Sequence, residues 1–90
     1  MTENKIKKLR KLYAIFDKKR MAYLTIMEKT NHAVAMRDFE MIVNAKDGMI
    51  KHYPEDYSLD FIGTFDEEDG TLNSSDKTNI CSAIEVLKNE

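Results

Sequence analysis

The stretch that most constrains the fold is His52 to Leu72, HYPEDYSLDFIGTFDEEDGTL. Pro54 fixes its own φ and disfavours helix at Tyr53, so Pro54-Glu55-Asp56 should turn the chain into a strand. From Tyr57 the residues alternate cleanly. Tyr57, Leu59, Phe61, Gly63 and Phe65 fall on one face, and Ser58, Asp60, Ile62 and Thr64 on the other. The face with three aromatic rings should meet a helix. Asp66-Glu67-Glu68-Asp69-Gly70 reads as a hairpin loop, and Thr71-Leu72 begin a return strand.

The residues before this hairpin supply the rest of a small sheet. Leu12 to Phe16 is apolar on both faces, as a central strand requires. Asp17-Lys18-Lys19-Arg20 is a connection of hairpin length, and Met21 to Met27 forms the second strand. Thr30 or Asn31 can cap a helix from Ala33 to about Ala45, with Ala35, Met36, Phe39, Ile42 and Val43 as its apolar stripe. Gly48 is placed to end that helix in the left-handed conformation. After the hairpin, Ser74, Ser75 or Asp76 should cap a last helix with Ile80, Ala83, Ile84 and Leu87 on one side. The expected fold class is α+β: a small antiparallel sheet in β-β-α-β-β-α order with the helices on one face. Residues 1–10 read as a basic arm and 11–90 as a single domain.

Charge is distributed unevenly. Residues 1–20 carry Lys5, Lys7, Lys8, Arg10, Lys11, Lys18, Lys19 and Arg20 against Glu3 and Asp17, a net of +6. Residues 54–76 hold eight carboxylates and no Lys or Arg. Such a separation can steer a partner or pair subunits head to tail. The overall charge of −2 argues against a protein that coats nucleic acid by bulk positive charge.

No catalytic constellation accompanies this layout. The single Cys81 permits no intrachain disulfide and suits a reducing cytoplasm; its apolar neighbours make it a buried hydrophobe. Neither His32 nor His52 has a second His or Cys at metal-ligand spacing. Asp66–Gly70 lacks the alternating ligands and bidentate Glu of a calcium loop. Three glycines cannot write a phosphate loop or dinucleotide fingerprint. The expectation is a non-enzymatic protein without metal or cofactor, with no membrane span or signal peptide. For nucleic acid the candidates are Lys5, Lys7, Lys8, Arg10, Lys11, Lys18, Lys19 and Arg20, with Tyr13 and Tyr23 able to stack unpaired bases. The alternative is that both tyrosines pack in the sheet and the lysines only solubilise the chain.

Four segments in order also resemble a known family. Lys11-Leu-Tyr-Ala-Ile-Phe-Asp17, Ala33-Val-Ala-Met-Arg-Asp-Phe39, His52-Tyr-Pro-Glu-Asp-Tyr57 and Ile62-Gly-Thr-Phe-Asp66, with Asp69-Gly70-Thr71-Leu72, look like the small nonstructural protein of gokushovirus-type microviruses. These are tiny phages with circular single-stranded DNA genomes. The motif residues on which the resemblance rests include Pro54, Glu55, Asp56, Tyr57, Gly63, Asp66 and Gly70. The resemblance implies a non-capsid protein of the infected bacterial cytoplasm, often labelled DNA-binding. Its implied role is in the switch from duplex copying to single-strand synthesis and packaging. It brings no catalytic residues, and it does not cover the basic residues ahead of Lys11, so a DNA role for that arm is inferred from charge alone. The competing expectation is an adaptor that binds a replication or procapsid protein. Homodimerisation is expected in either case, because so small a sheet leaves edges to pair.

Overall fold

The computed structural model describes residues 9–88. Four antiparallel strands form one sheet in the order β2-β1-β3-β4: β1 (Leu9–Asp17), β2 (Ala22–Lys29), β3 (Tyr57–Asp66) and β4 (Thr71–Ser82). Helix α1 (His32–Val43), the short turns α2 (Met49–His52) and Pro54–Asp56 (3-10), and the short α3 (Ala83–Val86) complete the chain. The fold is α+β, as expected. Strand β1, whose sequence is apolar on both faces, is one of the two central strands.

The core lies between one sheet face and the helices. Tyr13 and Ile15 of β1, Leu59 of β3 and Cys81 of β4 meet Ala35, Phe39 and Val43 of α1, with Ile50, Tyr57 and Ala83 closing the edges. Helix α1 starts where Asn31 Oδ1 accepts from the Val34 amide at 2.9 Å, satisfying one of the four unpaired amides of a helix start. Lys29 Nζ lies 2.8 Å from Asp38 Oδ2 and ties α1 to the end of β2; this ammonium holds the Asp38 carboxyl below its usual range. At the other end of α1, the Asn44 side chain donates to the Val86 carbonyl at 3.0 Å and accepts from the Lys88 amide at 2.8 Å. The end of the described chain is thereby fastened to the helix.

Three expectations are corrected. The stretch expected as a capped helix from Ser74 onward is strand as far as Ser82, and only Ala83–Val86 is helical. Thr71 to Asn79 is rich in Thr, Ser and Asn, which are weak helix formers, and pairing with β3 supplies the hydrogen bonds a helix would have made. The true cap is Ser82, whose amide donates to Glu85 Oε1 at 2.9 Å. Gly48 has φ −77°, so it does not adopt the left-handed conformation; α1 ends earlier, at Asn44, and Gly48 opens α2. Finally, the alternation of β3 breaks. Tyr13 pairs with Phe61 while its neighbour Leu12 pairs with Gly63, so Ile62 is an extra residue, a β-bulge. Beyond it the faces exchange: Gly63 and Phe65 share the face of Leu12 and Arg10, away from α1. Phe65 is therefore not part of the helix-facing core.

The remaining expectations about turns stand. Pro54–Asp56 forms a turn into β3. Asp66–Gly70 is a hairpin closed by the Gly70 amide donating to the Asp66 carbonyl at 2.8 Å, with Gly70 at φ +78°.

Candidate nucleic-acid interface

The register of the sheet decides which charged residues can act together. β1 runs from Leu9, opposite Asp66, to Asp17, opposite Tyr57. The β1–β2 turn and the β3–β4 hairpin therefore lie at opposite ends of the sheet. The molecule measures 53 × 26 × 18 Å. One end carries Lys18, Lys19 and Arg20; the other carries Asp66, Glu67, Glu68 and Asp69.

The basic end is built around Asp17. Its buried carboxylate accepts from the Lys19 and Arg20 amides at 3.0 and 3.2 Å, and the Lys18 amide donates to the Asp56 carbonyl at 2.8 Å. Backbone donors are thus satisfied inside the turn, and the three cationic side chains are left exposed. Met21, at φ +57°, completes the turn with its side chain 76% exposed. None of the described ion pairs involves Lys18, Lys19 or Arg20. On the helix side Lys19 borders a groove of about 300 Å³ shared with Asp17, Asp56, Tyr53 and Tyr57. Two carboxylates there oppose an anion, so the favourable approach to the turn is from its tip or from the opposite sheet face.

That opposite face begins directly below the turn with Phe16 and Tyr23, which are cross-strand partners with ring centroids 4.8 Å apart. The Tyr23 hydroxyl donates to Asp60 Oδ2 at 2.7 Å, while Ser58 Oγ and Asn79 Nδ2 donate to Asp60 Oδ1 at 3.4 and 3.2 Å. Asp60 is buried, and its carboxylate is held by neutral donors only. Burial, followed by the bond to Asp60, pushes the Tyr23 hydroxyl up to about 12.

The other sequence candidates do not join this end. Tyr13 is fully buried; its hydroxyl lies 2.6 Å from His32 Nδ1 and its ring packs edge-on against Phe61 and His32. It offers no ring face to a base. Arg10, expected in the arm, is the second residue of β1. Its guanidinium bridges Glu28 at 2.9 Å and Glu67 at 2.5 Å, so its charge is already spent on the acidic end. Lys11 is next to it, paired in register with Lys29 and Thr64. Arg10 and Lys18 are eight residues apart along the chain, roughly 26 Å in an extended strand. Lys5, Lys7 and Lys8 lie outside the described residues. The basic block of the sequence is thus two groups at two ends, a separation that only the strand register reveals.

The family-motif residues are structural. Pro54, Glu55 and Asp56 make the turn into β3, Tyr57 closes the core edge, Gly63 lets β4 approach, and Asp66 and Gly70 close the hairpin. A Cβ on Gly63 would sit 2.4 Å from the Asn73 carbonyl oxygen.

Cys81 is buried in β4, not in a helix, and burial raises its thiol to about 11. It stays protonated at neutral pH and is a poor nucleophile there. Among the described residues no group of three or more His, Cys, Asp or Glu could hold a metal ion, and no helix is long and apolar enough to cross a membrane.

The family model for phage ORF5 proteins matches residues 10–86, from the second residue of β1 to the last of α3. The chain belongs to that family and is a phage protein. No curated protein and no solved structure matches it.

Proposed function

We propose that this phage protein is a nonstructural protein of the gokushovirus-like microvirus type, acting in the host cytoplasm by binding rather than catalysis. Its ligand in this reading is single-stranded DNA, engaged during the switch to viral strand synthesis and packaging. The observation that carries the reading is the β1–β2 turn: Lys18, Lys19 and Arg20 are exposed, unneutralised by any described ion pair, and projected from a rigid sheet end. Contact is led by phosphates, with Tyr23 the one candidate aromatic beside the turn that reaches solvent.

Three phosphate contacts on a single strand give a log–log salt slope of about −2, an affinity loss of roughly twenty-fold between about 50 and 200 mM salt. Fluorescence anisotropy with a labelled oligonucleotide should show that slope. Replacing Lys18, Lys19 and Arg20 together with alanine should flatten it. A slope unchanged in the triple variant would move the contact away from the turn; no binding at low salt would remove DNA as the ligand.

A second reading, an adaptor for a replication or procapsid protein, is favoured by one observation. The sheet face opposite the helices is uncovered and apolar from Leu12 to Phe16 of β1 and from Tyr23 to Ile26 of β2, bounded at the acidic end by the Arg10–Glu28 ion pair. In that reading, capture of such a partner persists after nuclease treatment.

A further inference from the structure

All helices pack on one side of the sheet, so the other side is bare. It carries Leu12 and Phe16 from β1, Tyr23 and Ile26 from β2, Ile62 at the bulge and Leu72 from β4, with the ion-paired Arg10 and Glu28 at one end. Ile26 is 65% and Leu72 69% exposed. Leu12, Ile26, Ile62 and Leu72 line an almost wholly apolar groove of about 180 Å³. Contiguous apolar surface of this kind marks an interaction site. Towards β4 the same face turns polar, with Ser74, Asn79 and Ser82 opposite Gly63, Asp60 and Ser58.

We infer that the occupant of this face is a second copy of the chain, packed sheet to sheet about a two-fold axis that runs across the strands. Two independent features select that axis. Rotation about it keeps β2 over β2 and β4 over β4, so the apolar half of each face meets an apolar half and the polar half a polar half. It also reverses strand direction, bringing Lys18, Lys19 and Arg20 of one copy to the end that carries Asp66 to Asp69 in the other. A two-fold axis along the strands does the opposite on both counts: it sets β2 against β4 and stacks like-charged ends. Self-complementarity of this kind is what an isologous dimer requires.

The dimensions are sufficient. Four strands about 4.8 Å apart and nine residues of about 3.3 Å give a face of roughly 19 × 30 Å before side-chain relief is counted. That approaches the ~800 Å² per partner of a standard stable interface. The product is an eight-stranded sandwich with sheets about 10 Å apart and the helices outside. The edges, by contrast, are poor places to pair. β2 is bulged between Ala14 and Phe16 of its neighbour, and β4 carries two extra residues with Asp76 and Lys77 between its pairings to Phe61 and Gly63. In this dimer Tyr23 is an interface residue, and DNA contact rests on the cationic turns alone.

Sedimentation equilibrium of the full chain tests the inference. The expected species has twice the 10.5 kDa mass of one chain, and its dissociation constant rises with salt. Ile26→Lys and Leu72→Lys should each return it to monomer with an unchanged circular-dichroism spectrum, because both side chains are largely exposed in the single copy. In a mixture, Lys19→Cys chains should cross-link to Glu68→Cys chains through a short bis-maleimide, while Lys19→Cys chains alone should not cross-link to one another. A monomer at high micromolar concentration overturns the inference. So does a dimer indifferent to Leu72→Lys, which would be joined through the β2 edge, or one that links Lys19→Cys to itself.

Discussion

Phe39→Ala should remove a large share of the stability of the fold. Phe39 is fully buried at the centre of the cluster that joins α1 to the sheet. Truncating such a ring costs about 3–5 kcal/mol, the lost transfer energy plus the cavity left behind. A chain of 90 residues has a total stability of about 5–13 kcal/mol. The loss is therefore a large share of the whole. Urea denaturation read by circular dichroism should give a midpoint well below the native value at an unchanged slope. Met41→Ala is the internal comparison. Met41 belongs to the same helix, but its side chain is 69% exposed, so the change should stay within about 0.5 kcal/mol.

Gly63→Ala should be the most damaging single-methyl addition. The new Cβ would lie 2.4 Å from the Asn73 carbonyl oxygen and 3.0 Å from Ser74 Cα. Both neighbours are backbone atoms of β4, so no side chain can turn aside, and relief requires β4 to move off β3. Overpacking of this kind costs about 1–3 kcal/mol, occasionally more; the backbone obstruction places this case at the upper end. At about 4–8 °C per kcal/mol for a domain of this size, Tm should fall by roughly 10–20 °C. Gly70→Ala separates this effect from loss of glycine flexibility. Gly70 has φ +78° with nothing within 4 Å of a Cβ, so it should lose only the roughly 1–2 kcal/mol of a left-handed residue. Equal losses at the two sites would mean that the close approach of β4 at Gly63 is wrong.

The sequence exposes those parts of the fold that rest on local chemistry. Asn31 caps α1 through its own side chain, Pro54 dictates the turn into β3, and Asp66–Gly70 form a tight hairpin. The strand that is apolar on both faces, β1, occupies a central position. What stays hidden depends on pairing. The bulge at Ile62 has one local sign, a glycine inside the strand at Gly63, but only the register shows that it carries Gly63 and Phe65 to the face away from α1. The Ser74-Ser75-Asp76 cluster resembles a helix cap locally, but β3 pairs with β4 on both sides of it, from Thr71 to Ser74 and from Thr78 to Ser82, and the weak helix propensity of the surrounding Thr, Ser and Asn residues lets that pairing win. That propensity was the available signal for a long fourth strand.

The candidate site divides in the same way. Lys18, Lys19 and Arg20 were visible as a charged turn because a turn is local. The burial of Tyr13 against His32 and Phe61 and the engagement of Arg10 with Glu28 and Glu67 depend on partners 18 to 57 residues away in the chain. Charge counted along the chain merged two groups that the register sets at opposite ends of the sheet. The acidic hairpin, in turn, is closer to Arg10 than to the cationic turn. In the proposed dimer its carboxylates lie at the end that carries the turn of the other copy, not that of their own.

In the proposed function single-stranded DNA is held by the β1–β2 turn, at the end of the sheet opposite the acidic hairpin. Titrating the isotopically labelled chain with a short single-stranded oligonucleotide at low salt, and following backbone amides by NMR, tests it most directly. The largest shifts should fall at Lys18, Lys19, Arg20 and Met21 and reverse on adding salt, with smaller shifts at Glu67 to Gly70, which in the proposed dimer lie at the same end as the partner's turn. Shifts centred on the acidic hairpin, or none at the turn while DNA is bound, would contradict it.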